Sequence, residues 1–127
     1  MKIIHSSDWH LGISLHGASL LEEQKNFAGF LINAVKELNI DAVMISGDIF
    51  DHSVSSAESI SLYNDTVTKL CGEIGIPVII SAGNHDGAAR LASCNRLLKK
   101  TGLYIFGKLS KKTSAVELGN VDIYALP

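Results

Sequence analysis

A chain of 127 residues with 46% apolar side chains and a formal charge of −2 has the size and hydrophobic content of one globular domain, or of one piece of a larger domain. No apolar run approaches the ~18 residues of a membrane span, and the opening MKIIHSSDWHLG turns polar too early for a signal-peptide core, so the reading is a cytoplasmic protein with no membrane contact. Cys71 and Cys94 lack metal-type spacing and fall within helical patterns, where buried free thiols are expected.

In chain order, KIIHS (2–6) is a first strand. SLLEEQKNFAGFLINAVKELN (19–39) opens with Ser19 and Glu22 at capping-box spacing and repeats apolar residues at Phe27, Leu31, Ala34, Val35 and Leu38, one face of a helix. AVMIS (42–46) reads as a buried strand. Ser55 and Glu58 form a second capping-box pair ahead of a helix whose inward stripe is Ile60, Tyr63, Val67, Leu70 and Ile74, ended by Gly75 and Pro77. VIISA (78–82) is the third strand, AARLASCNRLLKK (88–100) one continuous third helix with Gly102 just past its end, and LYIFG (103–107) a fourth strand. After a turn near Gly107 to Lys112, SAVEL and VDIYAL form a hairpin about Gly119 and Asn120.

Strands separated by helices of this length imply an α/β fold with a mainly parallel sheet flanked by helices and joined by right-handed crossovers. Ligands bind such sheets beyond the carboxyl ends of the strands. The first three strands each run into a polar cluster there: SDWH, GDIFD and GNHD. Unpaired polar groups cost roughly 2 to 7 kcal/mol each on burial, so the three clusters should face one another across a single rim.

The candidates on that rim are Asp8, His10, Asp48, Asp51, His52, Asn84, His85 and Asp86. Ionised carboxylates crowded together raise one another's pKa, and divalent cations are the usual remedy. Oxygen and imidazole ligands without a thiolate favour Mn²⁺, Fe²⁺, Mg²⁺ or Zn²⁺. Asp8 and His10, two apart on an extended segment, point the same way and can grip one ion. Other residues have plainer readings. Asp86 is expected to tie down its loop and cap the following helix, His52 to be solvent-exposed, His5 to be satisfied by neighbours, and Trp9 to pack beneath the site; His16 has no role. Charge is uneven: residues 1–86 hold eleven acids and four bases, whereas residues 87–116 hold seven bases and no acid, Arg90, Arg96, Lys99, Lys100, Lys108, Lys111 and Lys112. Such a stretch is usually a solvated face, and it would also suit phosphate.

DWH, GDIFD and GNHD, in this order and spacing, resemble the opening motifs of the calcineurin-like metallophosphoesterases, D-x-H, G-D-x-x-D and G-N-H-D/E. More narrowly, SSDWHLG from residue 6 and GDIFD are similar to the SbcD-type nuclease subunits of bacterial SbcCD complexes. The resemblance implies the amino-terminal part of a four-layer α/β/β/α fold. It implies that Asp8 and His10 bind a first metal, that Asp48 bridges two, and that Asn84 binds the second. By the same resemblance His85 faces the leaving oxygen and Asp51 holds its imidazole. Two divalent ions are implied, Mn²⁺ foremost.

The function implied is a double-strand DNA exonuclease with single-strand endonuclease activity, in DNA repair, recombination or replication. Its partners would be DNA, an SbcC-type ATPase and a second copy in a homodimer. Another phosphatase, a cyclic-nucleotide phosphodiesterase, or a scaffold piece without chemistry are the alternatives. The family's remaining metal histidines, a lone His and a G-H-x-H pair, have no counterpart among His5, His10, His16, His52 and His85. Residues 1–127 are therefore expected to be the amino-terminal part of a longer nuclease domain, with weak metal binding and little hydrolysis alone, and with an exposed sheet edge or face that favours self-association.

Overall fold

The computed structural model describes residues 1–111 and 114–127. Along the chain run β1 (Ile3–Ser7), a short hairpin of β2 (Ser14–Leu15) and β3 (Ala18–Ser19), α1 (Leu21–Glu37), β4 (Ala42–Ser46) and α2 (Ala57–Thr68), which continues as a π-helical turn over Lys69–Ile74. Then follow β5 (Val78–Ser81), α3 (Ala88–Leu91), α4 (Asn95–Leu98), a 3₁₀ turn Lys99–Thr101, β6 (Leu103–Phe106), β7 (Val116–Leu118) and β8 (Val121–Ile123).

Strands β1, β4, β5 and β6 form one parallel sheet in that order, with Ile3 opposite Ala42, Val43 opposite Val78, and Val78 opposite Leu103. Each new strand joins the same edge, so crossovers of one hand deliver every helix to one face. Alternation along the strands then divides the core in two. Val43, Ile45, Val78, Ile80, Leu103 and Ile105 meet Leu31, Ile32 and Val35 of α1 and Leu62, Tyr63 and Val67 of α2. Ala42 and Ile79 point the other way, against Val116, Ile123 and Ala125 from the β7–β8 hairpin. The two central strands are thus buried on both faces, which is why they read as unbroken apolar runs. Each Val, Ile or Leu so enclosed contributes roughly 1.5 to 3 kcal/mol.

The expected α/β sheet and all four of its strands are present, and the hairpin turns at Gly119 and Asn120, with Leu118 opposite Val121. Gly75 and Gly102, both left-handed, end the π-helical and 3₁₀ turns as stop signals should. The helix starts differ from expectation. No side chain caps α1, whose first turn is preceded by Leu20; Ser19 Oγ accepts only from Leu21 N–H at 3.3 Å. The cap of α2 is Ser56, accepting from Ser59 N–H at 3.2 Å, while Ser55 Oγ donates to the His52 carbonyl.

Both inward stripes shift with these starts: Ala28 and Ile32 are buried in α1 whereas Phe27 and Leu38 are exposed, and in α2 Leu62 is buried and Ile60 exposed. The third helix is not continuous. It breaks at Cys94, which takes a left-handed φ of 58°, because the chain must turn there to lay α4 against β6. The break also exposes Cys94, correcting the expectation of two buried thiols; both are free, and burial pushes the half-buried Cys71 thiol up to about 11. The turn expected near Gly107 to Lys112 ends outside the described residues. Among the described residues no helix is long and apolar enough to cross a membrane.

Candidate metal centre

The parallel pairing of β1 and β4 does not stop at the strand ends. Asp8 N–H donates to Gly47 O at 3.3 Å, His10 N–H to Asp48 O at 2.9 Å, Leu11 N–H to Ile49 O at 2.9 Å, and Asp51 N–H returns to Leu11 O at 3.2 Å. Within this extension Asp8 (φ 54°), His10 (φ 43°) and Asp48 (φ 44°) are left-handed. Each such residue costs on the order of 1 to 3 kcal/mol, strain that persists only where surrounding contacts over-determine it.

One of those contacts is Asp86. Its buried carboxylate accepts from Phe50 N–H at 2.9 Å, Ile49 N–H at 3.2 Å and Gly83 N–H at 2.8 Å, lashing the loop after β5 to the loop after β4. The expected loop-tying role is present; the expected helix cap is not, since no side chain caps α3. Gly83 permits the closest approach. A Cβ at that position would run into the Asp48 amide nitrogen and carboxylate, so any other residue would displace Asp48.

The rim brings side chains from all three loops together. Ligand atoms of Asp8, His10 and Asp48 lie within 4.8 Å of one another, as do those of His10, Asp51 and His85. His10 belongs to both groups through different nitrogens. Its Nε2 faces Asp48 Oδ2 at 3.9 Å and Asp8 Oδ1 at 4.0 Å, while Nδ1 faces Asp51 Oδ1 at 3.3 Å. That Nδ1 is buried and lacks a hydrogen-bond partner among the described residues. Asp48 Oδ1 accepts from His85 N–H at 2.9 Å, and Asn84 sits exposed between Gly83 and His85 on the same rim.

His85 meets Asp51 through the main chain: its Nδ1 lies 2.9 Å from the Asp51 carbonyl oxygen. A carbonyl only accepts, so Nδ1 carries hydrogen and Nε2 is left to face outward. This contact, more than the nearby Asp48, Asp51 and Asp86 carboxylates, raises the His85 pKa above the ordinary imidazole value, against the opposing effect of desolvation. The Asp51 carboxylate itself serves His10 on one side and His52 Nε2, at 3.2 Å, on the other.

The remaining residues sit as the sequence suggested. Trp9 is buried beneath the site, edge-on to Phe27 at 5.6 Å, with Nε1 donating to Ser6 Oγ. His52 is exposed, His5 Nε2 meets Ser46 Oγ at 2.8 Å, and His16 is exposed at the β2–β3 turn. Of the basic stretch, Arg90 reaches back to donate to the Ser53 carbonyl beside the site at 2.8 Å. Lys112 lies outside the described residues. Sequence reasoning missed Gln24, whose amide bonds the Trp9–Gly12 backbone; it stands twelve residues from Gly12, on a helix, without any local signal.

The donor set fits divalent cations. Hard carboxylate oxygens and imidazole converge without thiolate, in an arrangement whose negative charges repel unless a cation offsets them. Such a centre at the carboxyl rim of a parallel α/β sheet defines a metal-dependent phosphoesterase class. The family model for calcineurin-like phosphoesterases matches residues 1–125, and the chain belongs to that family. It is 40% identical over its whole length to the SbcD component of the nuclease SbcCD from Staphylococcus saprophyticus subsp. saprophyticus, and 38% identical to its counterpart from Staphylococcus epidermidis. The chain spans 34% of the length of each of these curated relatives, about a third.

Proposed function

We propose that this chain supplies the amino-terminal half of a two-metal phosphodiesterase centre acting on DNA, as an SbcD-like nuclease with double-strand exonuclease and single-strand endonuclease activity. The observation that carries the reading is the convergence of Asp8, His10 and Asp48 within 4.8 Å, with the His85 backbone bonded to Asp48. Asp8 and His10 hold the first ion, Asp48 reaches both, and Asn84 holds the second, Mn²⁺ being the preferred metal and Mg²⁺, Fe²⁺ or Zn²⁺ its alternatives. Divalent ions bound there supply charge neutralisation at the phosphate and activation of the attacking water.

The chain's own residues do the rest. Asp51 holds His85 through its carbonyl, fixing the tautomer that turns Nε2 outward, and the raised pKa favours the protonated imidazole. His85 Nε2–H then gives its proton to the departing sugar oxygen, and the bond from that oxygen to phosphorus breaks. Asp51 acts twice, since its carboxylate also steadies His10 from the side away from Asp8 and Asp48. The proposal includes an SbcC-type ATPase partner, a homodimer, a cytoplasmic location and a place in DNA repair, recombination or replication; the names of the two relatives support it. The missing histidines come from the part of the protein beyond this chain.

The test is Mn²⁺-dependent nucleotide release from linear duplex DNA by the complete gene product. Release that is lost in His85→Ala, with Mn²⁺ and DNA binding retained, supports the reading. Cleavage of small phosphoesters without release from duplex ends moves it to a phosphatase.

A further inference from the structure

The backbone around His10 is held by a side chain that no motif includes. Gln24, in the first turn of α1, accepts with Oε1 from Gly12 N–H at 3.0 Å and donates with Nε2 to His10 O at 2.8 Å and to Trp9 O at 3.1 Å. One amide thereby spends both donor hydrogens and an acceptor on three main-chain groups of a single loop. The Trp9 carbonyl belongs to the peptide plane before the His10 Cα, and the His10 carbonyl to the plane after it. The orientations of those two planes are φ and ψ of His10. Fixing both from a single nitrogen fixes the left-handed His10 backbone, with its φ of 43°, and so the direction in which its imidazole leaves the chain.

The platform beneath is rigid. Ala28, Leu31, Ile32 and Val35 seat α1 in the core, and Phe27 meets Trp9 between the two rim residues Asp8 and His10. Glutamine suits the position for chemical reasons. Glutamate has the acceptor but neither donor, asparagine is one methylene shorter, and methionine has the length without the polarity.

We propose that Gln24 is a positioning residue of the metal centre: it locks the Asp8–His10 loop in the strained conformation that aims the His10 imidazole at Asp8 and Asp48. This rests on the reading of Asp8 and His10 as metal ligands. The experiment is a Mn²⁺ titration of the complete gene product, followed by the electron paramagnetic resonance signal of the free ion, for wild type, Gln24→Met, Gln24→Glu, Asp8→Ala and Ile32→Val. Ile32→Val trims the same helix without touching the loop and gives the effect of lost stability alone; thermal melting of every variant accompanies the titration.

Both Gln24 variants should weaken Mn²⁺ binding about tenfold or more, the scale on which groups behind a ligand act. Ile32→Val should leave the affinity at the wild-type value. Wild-type affinity in both Gln24 variants overturns the positioning role, and so does an equal loss in Ile32→Val. Loss in Asp8→Ala alone defeats the Gln24 proposal while leaving the ligand reading intact; unchanged binding in Asp8→Ala defeats the ligand reading and the positioning role together.

Discussion

The body of the parallel sheet and its carboxyl rim are built from the same strands by opposite rules. In the body, β4 and β5 place Val43, Ile45, Val78 and Ile80 in ordinary extended conformations, each essentially without exposure. At the rim, a few residues further on, three of the six left-handed non-glycine residues of the described chain cluster: Asp8, His10 and Asp48. Hydrophobic burial in the body is non-directional and tolerates modest change. The rim depends on directed bonds, from Asp86 to three amides and from Gln24 to three more main-chain groups. The difference teaches where the strain of the site is balanced: by hydrogen bonds from outside the ligand set, anchored in a core that the ligands do not touch.

The sharpest way to break that contrast is Asp86→Ala. Three amides lose a charged acceptor, one of them the amide of fully buried Ile49, so stability should fall by about 3 kcal/mol or more. Mn²⁺ affinity should fall with it, because Asp48 loses its loop support; urea unfolding and metal titration read both. Retained metal affinity at reduced stability would mean that the rim holds itself. Ile80→Val is the converse, removing one buried methylene for about 1 kcal/mol while leaving metal affinity unchanged.

The smallest expected effect concerns pH. The Glu58 carboxyl is held below its ordinary value of 4.5 by its own backbone N–H and by Ser56 at the start of α2. A lowered folded-state pKa gives stability that is present above the unfolded value and lost as pH falls through the folded one. Glu58→Gln should therefore narrow the gap in melting temperature between neutral pH and pH about 3, without changing metal affinity. A gap of wild-type size would show that the first turn of α2 gains nothing from that charge.

Much of the molecule was legible from residue pattern. Strand β4 carries the expected bounds and β1, β5 and β6 differ by a residue, because runs buried on both faces admit few other readings. The convergence of three polar clusters followed from the parallel connection alone. Other features were hidden. The cap of α2 fell one residue later than its capping-box spacing, since Ser55 and Ser56 are chemically equal and only the loop from His52 decides between them. The bend at Cys94 had no glycine or proline to announce it. Asp51 was expected to orient His85 with its carboxylate and does so with its carbonyl, a distinction that residue identity does not carry.

The sequence by itself determined which groups could bind a cation and at which end of which strands they would lie, because side-chain chemistry and the period of burial are local properties. Only the tertiary structure decided which atom faces which: Nε2 of His10 toward Asp8 and Asp48, Nδ1 toward Asp51, and Gln24 beneath them. Those choices depend on backbone dihedrals set by partners up to 37 residues distant, as Asp86 is from Ile49, and no local pattern encodes such a bond before the chain has closed.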